Sequence, residues 1–335
     1  MKLNMNINTD FVSKPKISVI TPSWNRAKYL ERVWNGLNSQ IFRDFEWIVG
    51  DDGSSDDTQS VIKDLASRSD FPVTLITASE HIGKIRLDNE AIKLARGEFI
   101  IWNDSDDYFI PEAFQQFLES WSSISECERD KYVAVTSLCK DEYGLTSSKL
   151  PYEGIFDTTW NELYEKYLVQ GDMSFFIRAD LLKAKPFPEI DFVIPEGVVW
   201  TALGNMPTRL IPKALKIVQY RSDHCISFSG KMNYCRGYAY SMSVTEKYAN
   251  QFPRKLKRRL WRLISFIRLS IHGDVAVSEQ LRQWGNNSSR LMFLLCFPAA
   301  CLLAIKDRIQ RKVVKSHIAF DIANIIVKIN HKILG

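Results

Sequence analysis

Residues 98–107 read Glu98-Phe99-Ile100-Ile101-Trp102-Asn103-Asp104-Ser105-Asp106-Asp107, an apolar stretch that empties into three carboxylates. Its apolar half reads as a buried strand, since a short run of β-branched and aromatic residues bounded by turn-formers fits one. Two earlier stretches have the same form. Lys16-Ile17-Ser18-Val19-Ile20-Thr21 stops at Pro22, and Phe45-Glu46-Trp47-Ile48-Val49-Gly50 ends in Asp51-Asp52-Gly53-Ser54. Residues 73–77 supply a further strand. Helical periodicity fills the gaps. Residues 26–40 set Tyr29, Leu30, Val33, Trp34 and Leu37 on one face, and 57–66 follow Asp56 as an N-cap. Residues 84–95 form a third helix, closed by Gly97 at a C′ position, and a fourth opens at Pro111 with Phe114, Phe117, Leu118 and Trp121 inward. Strands alternating with helices at this interval imply a parallel sheet covered on both faces, with ligands beyond the carboxyl ends of its strands. Thr21-Pro22-Ser23, Asp51-Asp52-Gly53 and Asp104 to Asp107 should therefore share one rim.

Acidic strand ends have a bland origin too, because Asp and Gly favour turns and Asp caps helices. For Asp51-Asp52-Gly53 taken alone, a simple turn and a binding role are equally open. Three carboxylates within four residues repel one another unless something positive lies among them. An oxygen-seeking divalent cation, Mg²⁺ or Mn²⁺, suits Asp104, Asp106 and Asp107 and would bridge a diphosphate. No GxxxxGK[ST] loop and no GxGxxG follows the first strand, which disfavours a P-loop NTPase or a nicotinamide enzyme.

These stretches together resemble family 2 glycosyltransferases. The resemblance rests on Ile17 to Arg26, on Asp44 to Asp56, and on Gly83 through Asn89-Glu90-Ala91 and Ala95-Arg96-Gly97 into Asp104-Ser105-Asp106-Asp107, which looks like the family's DxD element. It is close over 15–125 and weaker to about 230. It implies a GT-A type fold, a Rossmann-like, mixed, mostly parallel sheet flanked by helices. It implies that Thr21-Pro22 and Asp52, or its neighbour Asp51, hold the base and ribose of a nucleotide-sugar donor. Asp106 and Asp107 match the pair that meets ribose and metal–diphosphate, and Asp104 could share the metal. Many members carry an Arg just before the residue matching Asn89. Here that residue is Asp88, which leaves the basic contact between Lys84, the first choice, and Arg86.

An inverting transfer needs a carboxylate to take the acceptor hydroxyl's proton. Pro195-Glu196-Gly197-Val198-Val199-Trp200 looks like the family's later acidic motif, so Glu196 is the expected base, with Asp191 and Asp172 as fallbacks. The alternative is a Glu that merely favours a helix N-terminus. His224 lies where some relatives place a late metal ligand. Trp24 either borders the nucleotide pocket or packs.

Residues 251–335 hold 16 Lys and Arg against 4 Asp and Glu, a balance of +12, so the remainder of the chain carries −7. An anionic surface is the expected partner. Residues 291–305 are uncharged but are too short, and interrupted by Pro298, to span a bilayer, which needs about 20 apolar residues. An in-plane segment held by Arg290, Lys306, Arg308, Arg311 and Lys312 fits better, with a final helix through Ile318, Ile322, Ile325, Ile326 and Ile329 on the same surface. A buried helical subdomain with a solvated basic face is the plainer reading. Nucleic acid is not expected, for want of any recognised binding module. The six cysteines, at 127, 139, 225, 235, 296 and 301, have no zinc-ligand spacing. With no signal-like leader, the expectation is a reduced, cytoplasmic protein peripherally bound to the inner face of the membrane.

The expected organisation is a lead-in (1–14), a catalytic domain (15–250, its nucleotide half 15–125 and acceptor half 126–250) and a basic helical membrane-associating region (251–335). The expected function is metal-dependent, inverting transfer of a sugar, UDP-linked as first guess, to a hydroxyl of a glycan or lipid-linked glycan. A polyprenyl-phosphate acceptor, and a non-catalytic membrane-bound scaffold that keeps the sheet, are the alternatives.

Overall fold

The computed structural model describes residues 3–8, 14–141, 143–145, 149–219, 234–249, 256–284 and 287–315. The chain folds as two compact units, Met1–Gly230 with Tyr248–Phe252, and Lys231–Lys247 with Pro253–Gly335.

In the first unit the strands are β1 (Leu3–Asn8), β2 (Ile17–Ser23), β3 (Phe45–Asp51), β4 (Val73–Ala78), β5 (Phe99–Trp102), β6 (Tyr108–Phe109), β7 (Ala134–Asp141), β8 (Gly144–Leu145), β9 (Phe156–Thr159), β10 (Met173–Arg178) and β11 (Pro207–Ile217). The helices are α1 (Ala27–Asn38), α2 (Thr58–Ser67), α3 (Lys84–Leu94), α4 (Ala113–Ser122), α5 (Trp160–Glu165), α6 (Ala179–Ala184) and α7 (Gly197–Leu203). One mixed sheet runs β1-β4-β3-β2-β5-β10-β7-β11-β6, with β8 on β7 and β9 on β11. β4, β3, β2 and β5 are parallel neighbours, and β10 joins β5 antiparallel.

Period-two alternation explains how both faces are covered. Val19 and Val49 face α1, α2 and α4, where Leu30, Val33, Ile62, Phe114 and Phe117 complete one core. Ile20, Ile48 and Ile100 face the other way, onto Leu87, Ile92, Trp160 and Leu203. The central strands are buried on both faces, as continuous apolar runs require.

Three sequence expectations are revised. The lead-in contains a strand, because Leu3–Asn8 pairs antiparallel with β4 and covers its edge. β2 passes through Pro22 to Ser23 rather than stopping there. Gly97 is not a left-handed helix cap, since the helix ends at Leu94 with Ala95 as its C-cap and Gly97 has no positive φ. It is there for close approach: an added Cβ would lie 2.5 Å from the Ser18 amide nitrogen. The same crossing buries Glu46, whose carboxylate accepts from Ser18 Oγ (2.6 Å), Arg96 N (2.7 Å) and Arg96 Nε (2.8 Å).

The second unit is helical, with α8 (Cys235–Ala249), α9 (Leu256–His272), α10 (Val277–Trp284) and α11 (Asn287–Lys315). Its core joins Cys235, Ala239, Leu263, Phe266, Ile267, Phe293, Cys296 and Ala300. Asp307 of α11 accepts both nitrogens of a forked Arg268 bond at 2.5 Å and meets His272 Nε2 at 2.9 Å. Pro298 lies within α11. No helix among the described residues is long and apolar enough to cross a membrane. The final helix expected around 318–329 lies outside the described residues.

Two outcomes follow. Gly97→Ala should cost about 2 kcal/mol through overpacking against backbone, read as a lower urea midpoint; an unchanged midpoint would show that the crossing is not tight. Burial would raise the Asp307 carboxyl, but the bonds from Arg268 and His272 outweigh it and hold it below 3.8. Its stabilisation is therefore fully present above the ordinary carboxylate value and disappears as pH falls through the lowered one. Asp307→Asn should remove about 2 kcal/mol near neutral pH and flatten that acid dependence in circular-dichroism melts. An acid limb as steep in the variant as in wild type would exclude Asp307 as its source.

Candidate functional site

The parallel strands deliver their carboxyl ends to one rim, and the polar clusters follow from it. Asp51, the last residue of β3, accepts from Ser54 N at 3.2 Å and from Gln59 Nε2 at 2.7 Å, a turn closed on α2. Asp52 accepts from Ile82 N at 2.7 Å and Gly83 N at 3.0 Å, and faces His81 Nδ1 at 3.0 Å. Burial raises the Asp52 carboxyl above its ordinary value, against those bonds. Asp52 therefore fixes the segment that launches α3. Gly53 is required there: it sits at φ 68°, and a Cβ would meet the Glu80 carbonyl carbon at 2.5 Å. Thr21 is fully buried, with its hydroxyl accepting from the Trp47 indole at 2.9 Å. Trp24 is partly exposed and lies against the His81 ring at 4.6 Å between centroids.

Lys84 begins α3 and turns inward. Its ammonium lies 2.8 Å from Asp88 Oδ2 and 3.0 Å from Glu196 Oε1. Asp88 is wholly buried and also faces the Trp102 indole nitrogen at 3.3 Å. Burial lifts the Asp88 carboxyl to about 6 in spite of Lys84. Burial alone would lower the Lys84 ammonium, but Asp88, Glu196 and Asp104 together drive it well above its ordinary value. Arg86, the other basic candidate, points elsewhere and pairs with exposed Asp191 at 2.6 Å.

Glu196 stands at the N-cap of α7, yet its side chain makes no cap bond. Its carboxylate is turned to Lys84 instead. Trp200, one helical turn on, packs its ring on Trp102, Phe175 and Phe187, which locks α7 to the end of β5. Asn89 ties the intervening segment down: its side chain donates to the Phe187 carbonyl and accepts the Phe187 amide, both at 2.9 Å.

The DxD cluster carries a feature that the sequence reading did not anticipate. Lys216, near the end of β11, is buried with its ammonium 2.8 Å from Asp107 Oδ2 and 3.2 Å from Asp104 Oδ2. The other Asp107 oxygen accepts the Gln219 amide at 3.0 Å. Two backbone facts bring Lys216 there. β11 pairs antiparallel with β6, which directly follows the cluster, in the register Lys216↔Phe109. Its pairing with β7 also slips between Ala214 and Lys216, and such bulges re-aim side chains. Burial would raise Asp104, but Lys216 and then Lys84 hold it at about 2. Burial pushes Asp107 upward against the pull of Lys216. Arg32 Nη1 reaches the Asp106 carbonyl at 3.4 Å. Asn103, just before the cluster, is fully buried with neither side-chain atom hydrogen-bonded.

Among the described residues, no three His, Cys, Asp or Glu side chains converge well enough to hold a metal ion by themselves. His224 lies outside the described residues. Asp104 is the half-exposed member of the cluster, while Asp107 is buried behind it. The donor chemistry fits a divalent ion held by one or two carboxylates with diphosphate oxygens completing its shell. It does not fit a closed protein cage.

The family model for Glycosyl transferase family 2 matches residues 18–183. The chain is 27% identical over 242 residues, covering 71% of it and 75% of the relative, to the GalNAc(5)-diNAcBac-PP-undecaprenol beta-1,3-glucosyltransferase of Campylobacter jejuni. Over 103 residues, 30% of this chain and 18% of the relative, it is 39% identical to the poly(ribitol-phosphate) beta-N-acetylglucosaminyltransferase TarS of Staphylococcus aureus. The fold is similar to the crystal structure of S. aureus TarS 1–349 in complex with UDP-GlcNAc, with TM-score 0.55, 19% identity, and coverage of 85% of this chain and 80% of that one. The sheet order, the acidic rim and these matches together make the chain a glycosyltransferase of the GT-A fold, belonging to glycosyl transferase family 2.

Proposed function

We propose that the protein transfers a sugar, with inversion, from a nucleotide-diphosphate donor to a hydroxyl of a glycan or lipid-linked glycan, with UDP as the first donor to test. The observation that carries this reading is one charged network. Glu196 pairs with Lys84, whose ammonium acts on Asp104, and Lys216 joins Asp104 to Asp107.

In this reading residues 15–250 are the catalytic domain. Asp51, Asp52 and the Thr21-Pro22 backbone line the base and ribose end, and Trp24 with His81 offers ring surface beside them. Asp104 and Asp106 would hold Mg²⁺ or Mn²⁺ against the diphosphate, with Asp107 anchoring the turn behind them. The ion, when bound, supplies a Lewis acid that stabilises the departing diphosphate. Lys84 holds the Glu196 carboxylate in place through their ion pair at 3.0 Å. It also leaves a cation beside the diphosphate. Glu196, free of any capping duty, is the group that takes the acceptor proton. The relative from C. jejuni is named for a lipid-linked acceptor and TarS for a poly(ribitol-phosphate) one; both names support a polymer or lipid-linked glycan as acceptor class.

The second unit supports contact with a membrane surface. Leu291, Leu294, Leu295, Leu302, Ile305 and Ile309 form an exposed apolar stripe along α11. Arg290, Lys306 and Lys257 are exposed nearby in sequence or on α9, and Trp261 is half-exposed. A stripe of that kind with basic flanks suits an in-plane helix on anionic lipid, where each basic charge adds about 1 kcal/mol. Residues 251–335 are then the membrane-associating region, and the cytoplasmic face of the membrane is the expected location.

The donor reading is tested by hydrolysis and transfer with a panel of nucleotide sugars, with and without Mn²⁺. Glu196→Gln should lower turnover by a factor on the order of 10² to 10⁴ while UDP affinity stays within about twofold. Near-normal turnover would remove Glu196 as base and favour a phosphate acceptor, which needs less help with its proton. Cosedimentation tests the surface reading. The wild-type chain should pellet with phosphatidylglycerol vesicles and less with phosphatidylcholine, and Leu294→Glu with Leu295→Glu should abolish this. Equal binding by that variant would refute a role for α11.

A further inference from the structure

The acidic cluster already contains a cation. Lys216 sits between Asp104 and Asp107 at 3.2 and 2.8 Å, and it is buried, so bulk water does not screen it. The position is built by two independent features, the β11 bulge and the β6–β11 register. A buried ammonium needs partners, and here both partners come from the acidic turn itself. A divalent ion arriving alone at Asp104 would face this ammonium at short range, and like charges there oppose binding. A diphosphate brings the negative charge that offsets the repulsion. The orphaned Asn103 amide, adjoining Asp104, is a second mark of a cluster arranged for partners other than those it has.

We propose that Lys216 is a positioning residue, the resident counter-cation of the Asp104–Asp107 pair, and that it admits a divalent ion to the cluster only in company with a nucleotide diphosphate. Its ammonium keeps the carboxylates from repelling one another while no donor is bound. It also prevents metal from occupying the cluster unproductively. The proposal rests on the donor reading given above, but its test does not require turnover.

The experiment is Mn²⁺ binding to the full chain, followed by the electron paramagnetic resonance signal of free Mn²⁺, with and without UDP, in wild type, Lys216→Met and Lys216→Arg. In wild type, UDP should tighten Mn²⁺ binding by about tenfold or more. Lys216→Met should bind Mn²⁺ alone about tenfold tighter than wild type, with the UDP effect shrinking to match. Lys216→Arg, which keeps the charge, should behave as wild type. A folded Lys216→Met protein that binds Mn²⁺ alone no better than wild type would overturn the proposal. So would a wild-type protein that binds UDP yet takes up Mn²⁺ equally well with and without it, and this second measurement stands even if the methionine variant fails to fold. Binding of no UDP by wild type under either condition would instead sink the donor reading, and the Mn²⁺-only comparison would still judge the lysine.

Discussion

Carboxylates crowded at the end of a buried sheet must be matched by positive charge, and most of the site's architecture answers that requirement. Asp88, Asp104, Asp107 and Glu196 reach the same rim from three different elements. Two ammoniums, Lys84 and Lys216, sit among them at 2.8 to 3.2 Å. Desolvation of ions is expensive, and breaking one partner of such a pair is worse than never having built it. The rim is therefore held in one arrangement, with Asp51 and Asp52 spending their oxygens on backbone amides that shape the adjoining loops.

The first half of the sheet was legible because its signals are local. Buried parallel strands show as unbroken apolar runs, and Leu30, Val33 and Leu37 or Phe114, Phe117 and Trp121 show as helical spacing. Asp104 to Asp107 and Glu196 were singled out by resemblance and by carboxylate density, and the fold brings Glu196 within an ion-pair distance of Lys84. The choice between Lys84 and Arg86 could not be made from spacing. The two side chains differ in partners distant in sequence, Glu196 for Lys84 and Asp191 for Arg86, which no local pattern reveals.

What stayed hidden has physical causes as well. Lys216 reads as an ordinary charge in the run Lys213-Ala214-Leu215-Lys216, and only the slip in β11 pairing turns it inward. β11 itself, Pro207–Ile217, carries a weak strand signal, since Pro207, Pro212 and Lys213 interrupt it. α8 begins at Cys235 among Gly, Ser and Tyr residues whose helix propensity is weak, and packing of Cys235 and Ala239 decides for it. β1 is too polar to announce a strand, and its partner supplies the reason for its shape. Gly97 was read as a helix terminator from a correct position and a wrong mechanism; contact with the Ser18 backbone, distant in sequence, is what requires it.

The reciprocal bond between the Asn89 side chain and the Phe187 peptide has a mechanical reading. α3 carries Lys84 at its first turn and Asn89 at its middle, while the segment after Phe187 leads to α7 and Glu196. The pair of hydrogen bonds fastens the start of residues 188–195 to the helix that carries Lys84, so the chain leading to Glu196 sets out from an anchored point.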